Sequence, residues 1–234
     1  MRNLTAILCL TIAVLLGSAG CDESADFQKG VTAYNSGDYA TALREWKPLA
    51  KQGDASAQYN LGIMYKKGEG VPQDDKTAVK WYRLAAEQGN AIAQVDLGVM
   101  YAIGKGVPQD YKTAVKWYRL AAKQGHADAQ FGLGVMYKNG WGVPQDDKTA
   151  VKWYKLAAKQ GYAPAQRYLG NMYYNGLGVL QDYVYAHMWW NIAALSGDKV
   201  ASKNIERAEK MTPADLSTAQ KLARECIRKK YKGC

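Results

Sequence analysis

A few spacings in this 234-residue chain could carry chemistry. Ser196-Gly197-Asp198-Lys199 reads S-x-x-K, the order in which a lysine can activate a serine as an acyl acceptor. Neither S-D-N nor K-T-G occurs elsewhere. The same place reads EQGN and KQGH in related stretches, the composition of a turn between helices. Gly68-Glu69-Gly70 opens like a phosphate cradle, but no third glycine, P-loop lysine or preceding strand follows, so it is loop geometry. His126 and His187 lie far apart in the chain with no carboxylate or cysteine cluster at ligand spacing, so no metal or other cofactor is expected. The chain is read as a non-enzyme.

The polar pattern that does repeat is cationic. Lys76, Lys80 and Arg83 recur as Lys112, Lys116 and Arg119 and again as Lys148, Lys152 and Lys155. Spacings of i, i+4 and i+7 put each trio on one helical face, where nine cations suit an acidic peptide or a phosphate-bearing polymer. The excess of 31 Lys and Arg over 21 Asp and Glu agrees but does not call for nucleic acid. Asp74-Asp75 and Asp146-Asp147 partly neutralise the stripe. Trp141 and Trp190 break the local pattern and are candidate partner contacts, whereas Trp81, Trp117 and Trp153 read as core.

The elements that position these residues follow from a 36-residue period. Trp81, Trp117, Trp153 and Trp189 share it, as do Met64, Met100, Met136 and Met172. Such self-similarity decides the architecture before any propensity argument. Asp75 to Gly89 is rich in alanine and long straight-chain residues and stops at a glycine, which predicts a first helix. Asn90 to Gly106 opens on a capping residue and keeps Ile92, Val95, Val99 and Ile103 at helical spacings, which predicts a second. Val107-Pro108-Gln109-Asp110 then turns the chain and caps the next helix. Glycine recurs inside the second helix at Gly62, Gly98, Gly134 and Gly170. It costs a helix about 1 kcal/mol against alanine, so its recurrence implies a Trp or Tyr lying across the missing side chain.

The ends deviate. Asp26 to Asn35 resembles a lone second helix with Phe27, Val31 and Tyr34 on one face. Gly37 to Gly53 makes a first helix with Trp46, interrupted by Pro48, which predicts a kink there. Thr212-Pro213-Ala214-Asp215 opens a last helix through about Tyr231, which caps the stack. Twelve helices and no strands are expected.

At the N-terminus, Arg2 precedes an apolar run from Leu4 to Leu16, too short to span a ~30 Å hydrocarbon layer, and then small residues. This reads as a secretory signal over 1–20. Gly17-Ser18-Ala19-Gly20-Cys21 resembles a bacterial lipobox with Ser18 in place of the usual leucine, which implies lipidation at Cys21. Cys9 leaves with the signal. Cys226 and Cys234 then remain as natural disulfide partners in an oxidising compartment.

The consensus A-x-x-W-Y-x-x-A-A-x-Q-G-x-A-x-A-Q-x-x-L-G-x-M-Y-x-x-G-x-G-V-P-Q-D, met almost residue for residue from Ala114 to Asp146, resembles the Sel-one-like repeat of the tetratricopeptide-like superfamily. The resemblance implies an all-α, right-handed α/α superhelical solenoid of about five helical hairpins with terminal capping helices. The expected organisation is a signal over 1–20, a linker and half-repeat helix over 21–37, the array over 38–211 and a capping helix with its disulfide over 212–234. It further implies a non-catalytic protein-binding scaffold whose first helices line a groove for an acidic protein or peptide. The expected setting is the periplasmic side of a bacterial membrane, as a monomeric lipoprotein, with a soluble periplasmic or secreted form as the alternative. Two other functions stay open: a penicillin-binding or β-lactamase-like cell-wall enzyme at Ser196, and a secreted host-interaction effector.

Overall fold

The structure, a computed structural model, describes residues 19–206 and 211–234, with side chains from Ala25 onward. The expected signal up to residue 18 and the side chain of Cys21 lie outside the described residues. Among the described residues there are twelve helices and no strands. They are α1 (Ala19–Asn35), α2 (Tyr39–Gln52), α3 (Ala55–Lys67), α4 (Asp75–Glu87), α5 (Ala91–Ile103) and α6 (Tyr111–Lys123), then α7 (Ala127–Asn139), α8 (Asp147–Ala158), α9 (Ala163–Asn175), α10 (Tyr183–Leu195), α11 (Lys199–Ile205) and α12 (Pro213–Arg228). Even-numbered helices up to α10 are the first helices of hairpins, and α3, α5, α7, α9 and α11 are the second.

Local rules set each boundary. Asp74, Asp110, Asp146 and Asp182 adopt extended backbone and accept the N–H of Thr77, Thr113, Thr149 and Tyr185, which satisfies donors that a helix start leaves open. Gly68, Gly140 and Gly176 close second helices in the left-handed conformation. The loop that follows is tied back on itself. Asp74 N–H donates to the Tyr65 carbonyl at 2.9 Å, and the Gln73 amide donates to the Lys66 carbonyl at 3.1 Å. Pro48 lies within α2, which runs on to Gln52.

The chain divides into two compact units at Ala93/Gln94, inside α5. In the first, Trp46, Leu49, Leu61 and Met64 form a core against which Phe27, Val31, Tyr34 and Trp81 pack. In the second, Val151, Tyr154, Leu169, Met172, Trp189 and Ile192 are buried together with Ala223 and Cys226 of α12.

Between each second helix and the first helix of the hairpin after it, the glycine expectation holds. Tyr82 lies over Gly62, Tyr118 over Gly98, Tyr154 over Gly134 and Trp190 over Gly170. The expectation that Trp81, Trp117 and Trp153 are core needs correcting. Each is only half-buried, whereas Tyr82, Tyr118 and Tyr154, one position on, are 0%, 6% and 0% exposed. One residue turns the side chain about 100° around the helix, and the tyrosine is the one aimed at the glycine. The last helix also ends three residues early, at Arg228. Lys230 and Tyr231 take positive φ values and turn the tail back, so that Cys234 meets Cys226 in a disulfide.

Candidate interaction surface

On α6 the side chains of Lys112, Lys116 and Leu120 follow one another at four-residue steps, and all three are exposed; Lys148, Lys152 and Leu156 repeat the pattern on α8. Leu120 is 43% and Leu156 47% exposed. In the first unit α4 carries Lys76, Lys80 and Arg83, also exposed, with Leu84 beside them. In the second unit the third cation of each trio is engaged by a tyrosine. Arg119 donates to the Tyr137 hydroxyl at 2.8 Å, and the Lys155 ammonium stands 5.6 Å from the Tyr173 ring centre. These two cations fold back onto second-helix tyrosines, while Lys112, Lys116, Lys148 and Lys152 point along the exposed face.

The capping aspartates share this face electrostatically. The Thr113 hydroxyl and backbone N–H, helped by nearby Lys116, hold the Asp110 carboxyl below the ordinary carboxylate range; Thr149 and Lys152 do the same for Asp146. Both carboxyls stay ionised, so the middle lysine of each trio has an internal counter-charge within reach.

The two tryptophans set apart by sequence have different fates. Trp141 is 42% exposed and stacks on Tyr111 with ring centres 5.3 Å apart, so one indole face is already taken. Trp190 is 3% exposed, and its Nε1–H donates to Asn171 Oδ1 at 3.0 Å. As a partner contact Trp190 is therefore corrected: it fills the core register of Tyr82, Tyr118 and Tyr154.

Ser196 is the C-cap of α10 and its hydroxyl donates to the Ile192 carbonyl, while Asp198 caps α11 and accepts from Arg167 Nε at 2.9 Å. The S-x-x-K residues are thus a turn built like the others. His126 caps α7 beside Asp128, and His187 is buried against Asn191. Burial pushes the His187 imidazole below its usual value.

Two features escaped the sequence reading. The first is a glutamine ladder: Gln88 donates to Gln58 at 2.8 Å, Gln124 to Gln94 at 2.9 Å and Gln160 to Gln130 at 2.8 Å. The 36-residue period of these glutamines was the available signal. The second is the position of α12, which packs along α10 with Ala219, Ala223 and Cys226 buried in their own helix face. Met188, Trp189 and Ile192 lie beneath it. On α10 the stripe has changed accordingly, with Val184, Met188 and Asn191 standing where α6 and α8 carry Lys, Lys and Arg or Lys. Beside the returning tail, Lys155, Tyr173, Leu180, Tyr185 and Cys234 line an open cleft of about 600 Å³.

The Sel1 repeat family model matches four consecutive segments, 55–90, 91–126, 127–162 and 163–198, each a second helix with the first helix after it. Among solved structures, a protective antigen of uropathogenic Escherichia coli strains displaying an SLR fold aligns at 34% identity and TM-score 0.76, over 88% of this chain and 46% of that one. This chain therefore spans less than half the length of that antigen. A Sel1 repeat protein from Oxalobacter formigenes aligns at 32% identity and TM-score 0.75, covering 87% of this chain and 84% of its own. An immunity protein from Pseudomonas aeruginosa, at 20% identity and TM-score 0.50 over 90% of this chain and 81% of that one, shares the fold alone. Comparison with curated proteins finds no match.

Proposed function

This chain belongs to the Sel1 repeat family, whose members generally serve as scaffolds for protein–protein interaction, and we propose that it docks a protein partner on the exposed face of its first helices. The observation that carries this reading is the leucine. Lysines alone on that face would serve as a solvated surface. Leu120 and Leu156 of the second unit, 43% and 47% exposed, stand one turn beyond Lys116 and Lys152, and a solvated face has no need of them. Apolar area flanked by charge that can steer and select is the composition of a docking surface. The partner is a protein of the bacterial envelope, and the anchor is the lipidated Cys21 at the end of the signal segment.

Affinity capture from envelope extracts tests the face. The Lys116→Glu/Lys152→Glu variant should lose a partner that the unaltered chain and a Lys138→Glu control retain; equal capture by all three contradicts the reading. The anchor is tested separately, since Cys21→Ser should move the protein from the membrane fraction to the soluble one.

A further inference from the structure

The chain already holds one example of a helix lying on a first-helix face, in α12 on α10. There Ala219, Ala223 and Cys226 form the buried face of α12, and Leu222, Ala223 and Cys226 pack with Met188, Trp189 and Ile192 of α10. Residue by residue, Met188 corresponds to Lys116 and Lys152, and Ile192 to Leu120 and Leu156. Those are the positions a covering helix touches. Where α12 covers them they are apolar and buried; on α6 and α8 the leucine is half exposed and a lysine replaces the methionine.

Resting on the docking face proposed above, we infer that its ligand is an acidic amphipathic helix of the partner protein, lying on α6 or α8 as α12 lies on α10. The chemistry of that helix follows from the face it meets. Opposite Leu120 and Leu156 it presents small or apolar residues at i, i+3, i+4 and i+7, as α12 does with 219, 222, 223 and 226. Opposite Lys112 and Lys116 on α6, or Lys148 and Lys152 on α8, it presents Glu or Asp, because a flank like that of α12, where Lys221, Arg224 and Arg228 outnumber Asp215 and Glu225, would set like charge against the two ammonium groups. The carboxylates also explain why the stripe keeps lysine in the helices that α12 does not cover. A partner helix of three to four turns matches the 13 residues of α6 and the 12 of α8.

Two fluorescein-labelled peptides of the 16-residue length of α12 test the assignment on the full chain. One carries Ala and Leu at the spacing of positions 219, 222, 223 and 226 with Glu on both flanks; the other has the same composition in scrambled order. By fluorescence anisotropy at about 0.15 M salt, the amphipathic peptide should bind at least about tenfold more tightly than the scrambled one. Lys116→Glu/Lys152→Glu and Leu120→Gln/Leu156→Gln should each weaken it by a similar factor, with helix content by circular dichroism unchanged. Should Leu120→Gln/Leu156→Gln lose helix content, Leu156→Ala serves in its place. Equal binding of the two peptides, binding indifferent to the substitutions, or no binding overturns the helical ligand. Capture that is still lost with Lys116→Glu/Lys152→Glu would then leave the docking face standing, whereas capture that survives that substitution removes the face as well.

Discussion

Tyr82 lies across Gly62, and a β-carbon on that glycine would stand 2.5 Å from Cδ1 of the ring. Alanine would gain about 1 kcal/mol of helix propensity there. Tyr82 is fully buried, and overpacking a filled core costs roughly 1–3 kcal/mol, with more for a contact this close. Gly62→Ala should therefore lower the urea midpoint, and a raised midpoint would contradict the packing described for all the hairpins.

The register of aromatic residues makes a comparative prediction. Tyr154 is completely buried and Trp153 is half-buried. Tyr154→Ala should cost about 3–5 kcal/mol, while Trp153→Ala, although it removes more atoms, should cost less. Denaturant titration of the two variants decides between them.

The glutamine ladder stops at the last hairpin. Ser196 stands where Gln88, Gln124 and Gln160 stand in the others, and the buried Gln166 Oε1 has no hydrogen-bond partner among the described residues. Ser196→Gln should supply the missing donor and stabilise the fold by about 0.5–1.5 kcal/mol, read as a raised melting temperature. A fluorescent penicillin should leave no adduct on Ser196, whose hydroxyl is spent on the Ile192 carbonyl.

Acid should act through the caps. The carboxyls of Asp38, Asp74, Asp110, Asp146 and Asp215 are each held below their ordinary value of 3.8, mainly by hydrogen bonds from Thr hydroxyls and backbone N–H groups. A carboxyl that binds its proton less readily in the folded chain adds stability above pH 3.8, and that stability is lost as pH falls through the lower folded value. Melting temperature should drop across that acid window, and less steeply in Asp110→Asn/Asp146→Asn. Equal slopes would contradict the caps' role.

The disulfide between Cys226 and Cys234 closes an eight-residue step and holds the tail that packs beside α10. Loop-closure entropy puts its worth at roughly 2–3 kcal/mol. Reduction, or Cys234→Ser, should lower the thermal midpoint, and hydrogen exchange should quicken first in α12. Protection that falls equally in every helix would contradict a local clamp.

Much of this architecture was legible in the sequence because it repeats. Period, hairpins, caps and the aromatic-over-glycine contact all follow from residues recurring at 36. The repeat could not say which of two adjacent aromatic residues faces the glycine, since Trp81 and Tyr82 recur with equal regularity. Trp46 offered the answer: it shares a register with Tyr82 and Trp190, and only that register is aromatic through both terminal hairpins. The candidate face was half legible. Lysine spacing gave its position, but Arg119 and Lys155 leave it for Tyr137 and Tyr173, contacts that depend on where the second helix sits. The place of α12 was hidden for another reason. An amphipathic helix announces that it packs, not what it packs on, although the exchange of lysine for Met188 marked the surface that receives it.

The most direct test of the docking face is photo-crosslinking in intact cells, with a photoreactive amino acid placed at Leu120, Leu156 or, on a second helix, the exposed Asn139. The account predicts a protein adduct from positions 120 and 156 and none from 139. Adducts from 139 alone would contradict it.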